Sequence, residues 1–384
     1  MKTIVVALSF TLAVALVACS APESDDSAGI PADTGPPPRA TELGTGDHTP
    51  GSVVLKEIAG PAAKLNGPRD LAFNPLRPDD LWVVNLADNS VVIVHDASAD
   101  ARTTERRLDA DARHFMYKPS SLAFGGDETT FGKPGTLSIC GESRNELGGA
   151  GNRDFMGPAL WSSDLTIFAI KDPFGLGSHL DMLHNTPLCM GSAHENANIH
   201  WNFGGLANAI YKNDFKRDHG IGQDDHNDGE SFEYVRGEVS YVAGVPSHLV
   251  FRAEDKMLYI ADTGNGRIAK LDTTSGTRGV RLPVKEPQKV HYRIDGAVLS
   301  DVVAASTGLL QQPSGIEIQG EYLYVSDNKT GTISAFTFEG ERVNWLDTGL
   351  GEGTLSGLAF GPDKKLYFVD MRGNRVLRID PPPP

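Results

Sequence analysis

Residues 245–272 read VPSHLVFRAEDKMLYIADTGNGRIAKLD. A Pro-led apolar strand, a charged turn, a second strand ending at Asp262, a Gly-Asn-Gly turn and a third strand describe three antiparallel strands in series. The same text recurs. Pro-led openings stand at 67–73 (GPRDLAF), 118–124 (KPSSLAF), 245–251 (VPSHLVF) and 312–318 (QPSGIEI), and TLSGLAF at 354–360 with the weaker CMGSAHE at 189–195 completes six units. Each opening is followed by a strand such as LWVVN (81–85), NIHWNF (198–203), LYIAD (258–262) or LYFVD (366–370). Six such units arranged radially avoid long exposed sheet edges. The expected fold is therefore all-β, a six-bladed β-propeller over 51–384.

Closure of the ring is legible at the ends of this stretch. After NRVLRID come Pro381 to Pro384, which cannot continue a ladder, so the sixth blade lacks an outer strand. The segment SVVLKEI (52–58) has the composition to supply it, beside Val376 to Ile379. Two blades are enlarged. Blade two carries 141–158 between its second and third strands, with Phe155 and Met156 to fold it back onto the ring, and blade four runs on through 285–310.

Upstream of the propeller, Lys2 precedes the apolar run Ile4 to Val17, which reads as a signal peptide over 1–18. It ends in Leu16-Val17-Ala18-Cys19, which resembles the bacterial lipobox and implies diacylation of Cys19. Residues 19–50 are rich in Ser, Asp, Gly, Thr and Pro and read as a disordered tether. The expected location is the bacterial cell envelope, at the outer membrane, periplasm or cell surface, with the lipid anchor as the membrane contact and a monomeric chain. In an oxidising setting Cys140 and Cys189 are expected to be bridged. One ends the second strand of blade two and the other opens blade three, on the same face, and a bridge would contribute roughly 3–5 kcal/mol. The net charge of −15 argues against nucleic acid and anionic lipid surfaces.

The units LYIADTGNGRI and LYFVDMRGNRV resemble the NHL-repeat family, and the resemblance extends from about Gly51 to Asp380, clearest in blades four and six. Some propellers of that family are enzymes, the peptidyl-hydroxyglycine lyases among them, which bind zinc through histidines gathered at the axis, with Arg and Tyr contacting substrate. His248 matches that pattern in its Pro-Ser-His context. Asp70, Ser121, Gly315 and Gly357 stand where further histidines would be wanted.

Seven of the eleven histidines lie between His179 and His248. Strand order places His184, His194 and His248 at or near one face, called the top, together with Arg69, Asp70, Glu142 and Arg144. Three neutral imidazoles there are a candidate site for Zn or Cu, with the charged groups orienting a small molecule or peptide and Trp201 as a channel-lining aromatic. The plain alternative is hydrogen-bonded polar residues in a channel. A second candidate, for Ca, is Asp218, His219, Asp224, Asp225, His226 and Asp228, expected on the bottom face. Its plain alternative is an acidic loop capping its own turns. Two functions follow: a metal-assisted enzyme, or a non-catalytic scaffold binding an envelope protein or glycan.

Overall fold

The computed structural model describes residues 39–126, 129–145, 153–284, 288 and 290–382. The expected signal peptide, Cys19 and the first part of the tether lie outside these residues. Six sheets surround an axis. Blade one comprises β2 (Pro68–Asn74), β3 (Arg77–Asn85), β4 (Ser90–His95) and β5 (Thr103–Arg107). A short helix, α1 (Ala112–Phe115), leads to blade two, with β6 (Pro119–Gly125), β7 (Thr136–Gly141), β8 (Ala159–Ser162) and β9 (His179–Met182). Blade three is built on β10 (Cys189–Asn196), β11 (Ile199–Gly204), β12 (Ala209–Asp214) and β13 (Glu230–Tyr234).

Blade four holds β14 (Leu249–Arg252), β15 (Met257–Asp262) and β16 (Arg267–Asp272). The chain then departs as the hairpin β17 (Thr277–Arg281) and β18 (Val290–Asp295) and returns as β19 (Leu299–Val303). The departing hairpin pairs with blade three, β18 running parallel to β13 with Glu230 opposite Val290. The long excursion of blade four is thus an extension of its neighbour. Blade five contains β20 (Pro313–Gln319), β21 (Tyr322–Asp327), β22 (Thr332–Phe336) and β23 (Arg342–Asp347), and blade six β24 (Leu355–Phe360), β25 (Leu366–Asp370) and β26 (Arg375–Asp380).

Closure is as expected. The first strand, β1 (Val54–Ala59), pairs antiparallel with β26, from Val54 opposite Asp380 to Ala59 opposite Val376. Residues 39–53 then lace over blades five and six. Leu43 and Val53 are buried in their shared core, Glu42 accepts from the Tyr324 hydroxyl (2.7 Å), and His48 stacks on Trp345 at 3.5 Å.

The inner three strands explain the sequence pattern. Second strands lie between neighbouring blades with both faces covered, so LYIAD and LYFVD are continuous apolar runs, buried throughout. First strands crowd the axis, where a side chain on Gly315 would stand 2.1 Å from the Ser356 carbonyl. The serines of the opening motif bind neighbouring blades: Ser120 donates to the Cys189 carbonyl (2.5 Å), Ser314 to that of Pro246 (2.8 Å) and Ser356 to that of Arg69 (2.6 Å).

Blade three departs from this pattern for a visible reason. On β11 side chains alternate between its two faces. Trp201 and Phe203 belong to the apolar core shared with blade four. His200 and Asn202 occupy the other face, and Asn202 joins a buried polar chain through Asn213 to Ser231. The apolar cluster where blades two and three meet is accordingly small, Leu160, Leu180, Leu183 and Phe215. Cys140 and Cys189 are bonded across the same junction, with Cα atoms 5.6 Å apart. Trp201 is therefore a core residue and does not line the channel. Its ring is fully buried 5.0 Å from Tyr234, and its Nε1–H donates to Glu195 (2.7 Å).

The blade-two insertion folds back as its apolar residues imply. Met156 is buried in the core of blades one and two, and Phe155 packs on His184 at 3.9 Å. Residues 146–152 of that insertion lie outside the described residues.

Candidate metal centre

The three top-face histidines do not meet. His248 lies at the axis, where its Nε2–H donates to the Ser120 carbonyl (3.1 Å) and Nδ1 stands 3.5 Å from Asp70 Oδ1. His194 sits at the far end of β10, its ring 5.2 Å from that of His200 and its Nε2 2.9 Å from the Ala197 carbonyl oxygen. His184 follows β9 and donates from Nδ1 to the Phe155 carbonyl (2.5 Å). The charged groups assigned to the top face are also committed. Arg144 pairs with Asp154 at 2.6 Å, and Glu142 accepts from the Tyr241 hydroxyl (2.5 Å) and Gly244 N–H (2.8 Å). The Arg69 Nε is buried without a partner.

Asp70 and His248 instead share an axial cavity of about 130 Å³ with Ser192 and Glu317. Burial there pushes the Glu317 carboxyl from 4.5 up to about 7, with Asp70 adding repulsion. The folded state holds this proton more tightly than the unfolded chain. Its stabilising contribution is therefore present below pH 4.5 and lost as pH rises through about 7. Glu317→Gln is expected to raise the thermal midpoint by about 2 °C or more at pH 8 and to leave it nearly unchanged at pH 4. Equal shifts at both pH values would refute this account.

The histidines that converge do so at the perimeter, around the outer strand of blade two. The loop between β12 and β13 runs beside β9: His219 N–H donates to the Leu180 carbonyl (3.1 Å) and Gly222 N–H to that of His179 (2.8 Å). This brings His219 and His226 against Asp181 in the middle of β9. One ligand atom from each of Asp181, His219 and His226 lies within 4.8 Å of the others. The His184 ring is 5.7 Å from that of His226, and the His179 ring 5.1 Å from that of His219. Separation of His184 from the 218–230 loop on opposite faces, as strand order suggested, is thus corrected: both flank one short strand.

The donor chemistry fits a metal. Asp181 Oδ1 accepts from Met182 N–H (2.7 Å) and lies 2.8 Å from His226 Nδ1, while Oδ2 is buried without a partner. His219 donates from Nδ1 to the Gly220 carbonyl (2.8 Å), which leaves a lone pair on Nε2, also buried without a partner. His226 has a carboxylate at each nitrogen, Asp181 at Nδ1 and Asp224 at Nε2 (3.2 Å). A neutral imidazole carries one N–H, so the second contact calls for an added proton or a cation. Burial holds His179 down to about 2, His184 to about 3 and His219 to about 4, which keeps these rings neutral and available as ligands. Asp181 is pushed up to about 7 by burial, against the opposing pull of His226.

The remaining carboxylates of the loop disperse. Asp218 is taken up by Thr130 N–H (2.8 Å), the Thr130 hydroxyl (2.6 Å) and Gly220 N–H (2.9 Å). Asp225 accepts from Asn227 N–H (3.2 Å) and Nδ2 (2.6 Å), and Asp228 from Arg217 N–H (3.3 Å). The buried donors are two imidazoles and one carboxylate, the chemistry of Zn, Cu or Ni, whereas calcium takes six to eight oxygens.

Asp181, His179 and Glu317 were not singled out in the sequence. The available signal for Asp181 was a lone carboxylate between Leu180 and Met182 in a strand of blade two. The signal for Glu317 was its place two residues past the glycine that crowds the axis, in QPSGIEI.

No family model matches the sequence, and no curated protein matches it significantly. Solved structures do share the fold. An auxiliary nutrient binding protein from Bacteroides ovatus is similar at 14% identity and TM-score 0.51, covering 83% of this chain and 70% of that one. A second, from Bacteroides thetaiotaomicron, has 12% identity and TM-score 0.51 over 88% and 74% of the two chains. The calcium-binding protein regucalcin from Agrobacterium tumefaciens has 13% identity and TM-score 0.50 over 86% and 96%. At these identities the likeness establishes the propeller fold.

Proposed function

We propose that this protein is a lipid-tethered β-propeller of the bacterial cell envelope, built on NHL-type repeats, that holds one divalent transition metal at the rim of blade two and uses it to bind a small molecule or peptide. The observation that carries this reading is the convergence of Asp181, His219 and His226, two of them with buried ligand atoms that lack any partner. These two atoms have neither bulk solvent nor a protein partner, and a cation bonded at about 2.0–2.2 Å would satisfy both. Asp181 Oδ1 would also orient His226, an arrangement that raises the basicity of a ligating imidazole.

When bound, the metal would supply a Lewis acid or an activated water. The chain's own part is to hold three donors on a fixed strand and a loop tied to that strand. A non-catalytic binding role is favoured by the likeness to the two nutrient-binding propellers, and a lyase-type reaction by the resemblance of the repeats to the NHL family.

Elemental analysis of the full chain, purified without a histidine tag and equilibrated with Zn, Cu, Ni and Ca in turn, tests the reading. One transition metal per chain is expected, with His219→Ala and His226→Ala each losing at least about tenfold in affinity. His194→Ala and His248→Ala should retain it. Metal-free wild type, or loss in His248→Ala with retention in His226→Ala, would overturn the assignment. Cys19→Ala is expected to release the protein from the membrane fraction; unchanged membrane association would remove the lipid anchor from the proposal.

A further inference from the structure

His219 belongs both to the metal cluster and to the wall of a large surface pocket of about 800 Å³. The pocket opens beside the cluster, between the 218–230 loop and the segment that precedes β9. One wall is apolar: Phe131, Pro173, Phe174 and Ile221 line it, and Phe174 is 65% exposed. Among the described residues Phe174 is the one phenylalanine or tryptophan in the exposed class, and a ring this open is a contact surface awaiting an apolar partner. Arg217 is the single basic lining residue besides the histidine, and it makes no ion pair among the described residues. It is exposed, and of its polar groups the backbone N–H is engaged, by Asp228. The guanidinium is exposed, and no hydrogen bond or ion pair to a described residue occupies its donors.

We infer that this pocket takes an organic anion, a carboxylate carried on an aromatic or branched apolar body, whose charged end is shared between Arg217 and the metal and whose body lies on Phe174 and Phe131. The inference rests on the metal reading above and adds the class of ligand. Its electrostatic basis is local. A divalent ion held by one carboxylate and two neutral imidazoles keeps a net positive charge, and its open position favours an anionic donor. Guanidinium adds a planar fork that matches a carboxylate in geometry as well as charge. Asp218, next to Arg217 in the chain, is buried and saturated by Thr130 and Gly220. Asp225 and Asp228 are tied to the loop but keep outward oxygens, which a cationic ligand would use instead, so the two classes of ligand make opposite predictions.

Calorimetric titration of zinc-loaded full chain with 3-phenylpropionate, propionate and phenethylamine separates them. The aromatic acid is expected to bind at least about tenfold tighter than the amine of similar size and than the short acid. Arg217→Met should weaken it by about tenfold, Phe174→Ala by severalfold, and removal of zinc by about tenfold, while zinc stoichiometry in both variants stays at wild type. If zinc binds at one per chain and the amine equals or exceeds the acid, or Arg217→Met changes affinity by less than twofold, the ligand class is wrong and the metal centre stands. If zinc itself does not bind, the metal reading fails and this inference fails with it.

Discussion

A chain shortened to begin at Gly60 is expected to lose its cooperative fold. The deleted stretch supplies the outer strand of blade six and buries Leu43, Val53 and Ile58. Full burial of such side chains is worth about 1.5–3 kcal/mol each, so about 5–9 kcal/mol of apolar contact disappears, comparable to the whole net stability of a domain. The loss also bares the edge of β26, a row of unpaired backbone groups that invites pairing with other chains. Chemical denaturation and size-exclusion chromatography should therefore show either aggregation or a denaturant midpoint far below that of the full chain. Supplying residues 39–59 as a separate peptide should recover part of the loss, because pairing with β26 needs no covalent link. A truncated chain that stays monomeric with an unchanged midpoint would show that the ring does not depend on this seam.

Trp201→Ala is the second large effect. The ring is wholly enclosed between blades three and four, beside Tyr234 and under the Lys212 ammonium at 5.3 Å. Its removal leaves a cavity and strips Glu195 of an indole donor, a cost of about 3–5 kcal/mol. A channel-lining tryptophan would behave in the opposite way, with ligand binding impaired and stability nearly unaltered. Urea unfolding read by circular dichroism distinguishes the two, and a midpoint within error of wild type would contradict the core placement.

These residues show why the fold could be read from sequence while the site could not. A strand covered on both faces must be apolar throughout, so LYIAD and LYFVD announce second strands wherever they occur. Proline cannot extend a ladder, so the missing strand of blade six had to come from elsewhere. Trp201 misled because an aromatic beside polar His200 and Asn202 can face either side of a strand, and only pairing shows which face meets which blade. The metal centre was hidden for a different reason. Strand order assigns residues to the top or bottom of a blade, but β9 is only four residues, about 13 Å, and lies at the perimeter. A loop running alongside so short a strand reaches both of its ends. His184 and His226, 42 positions apart and assigned to opposite faces, therefore stand with their rings 5.7 Å from one another.

The joints between blades are unequal, and that asymmetry fixes where the ring would give way. Blades two and three share a covalent bond and a loop that crosses from one to the other, and blade four lends blade three a hairpin. Blade six is shut by one terminal strand, and a pull on the chain before it reaches that strand once residues 39–53 have left blades five and six. Under tension the propeller is therefore a clasp: β1 would peel from β26 pair by pair, while the perimeter around Asp181, on blades held together by the disulfide, kept its shape. The seam that yields lies at blade six, and the histidine cluster on blades two and three stands apart from it.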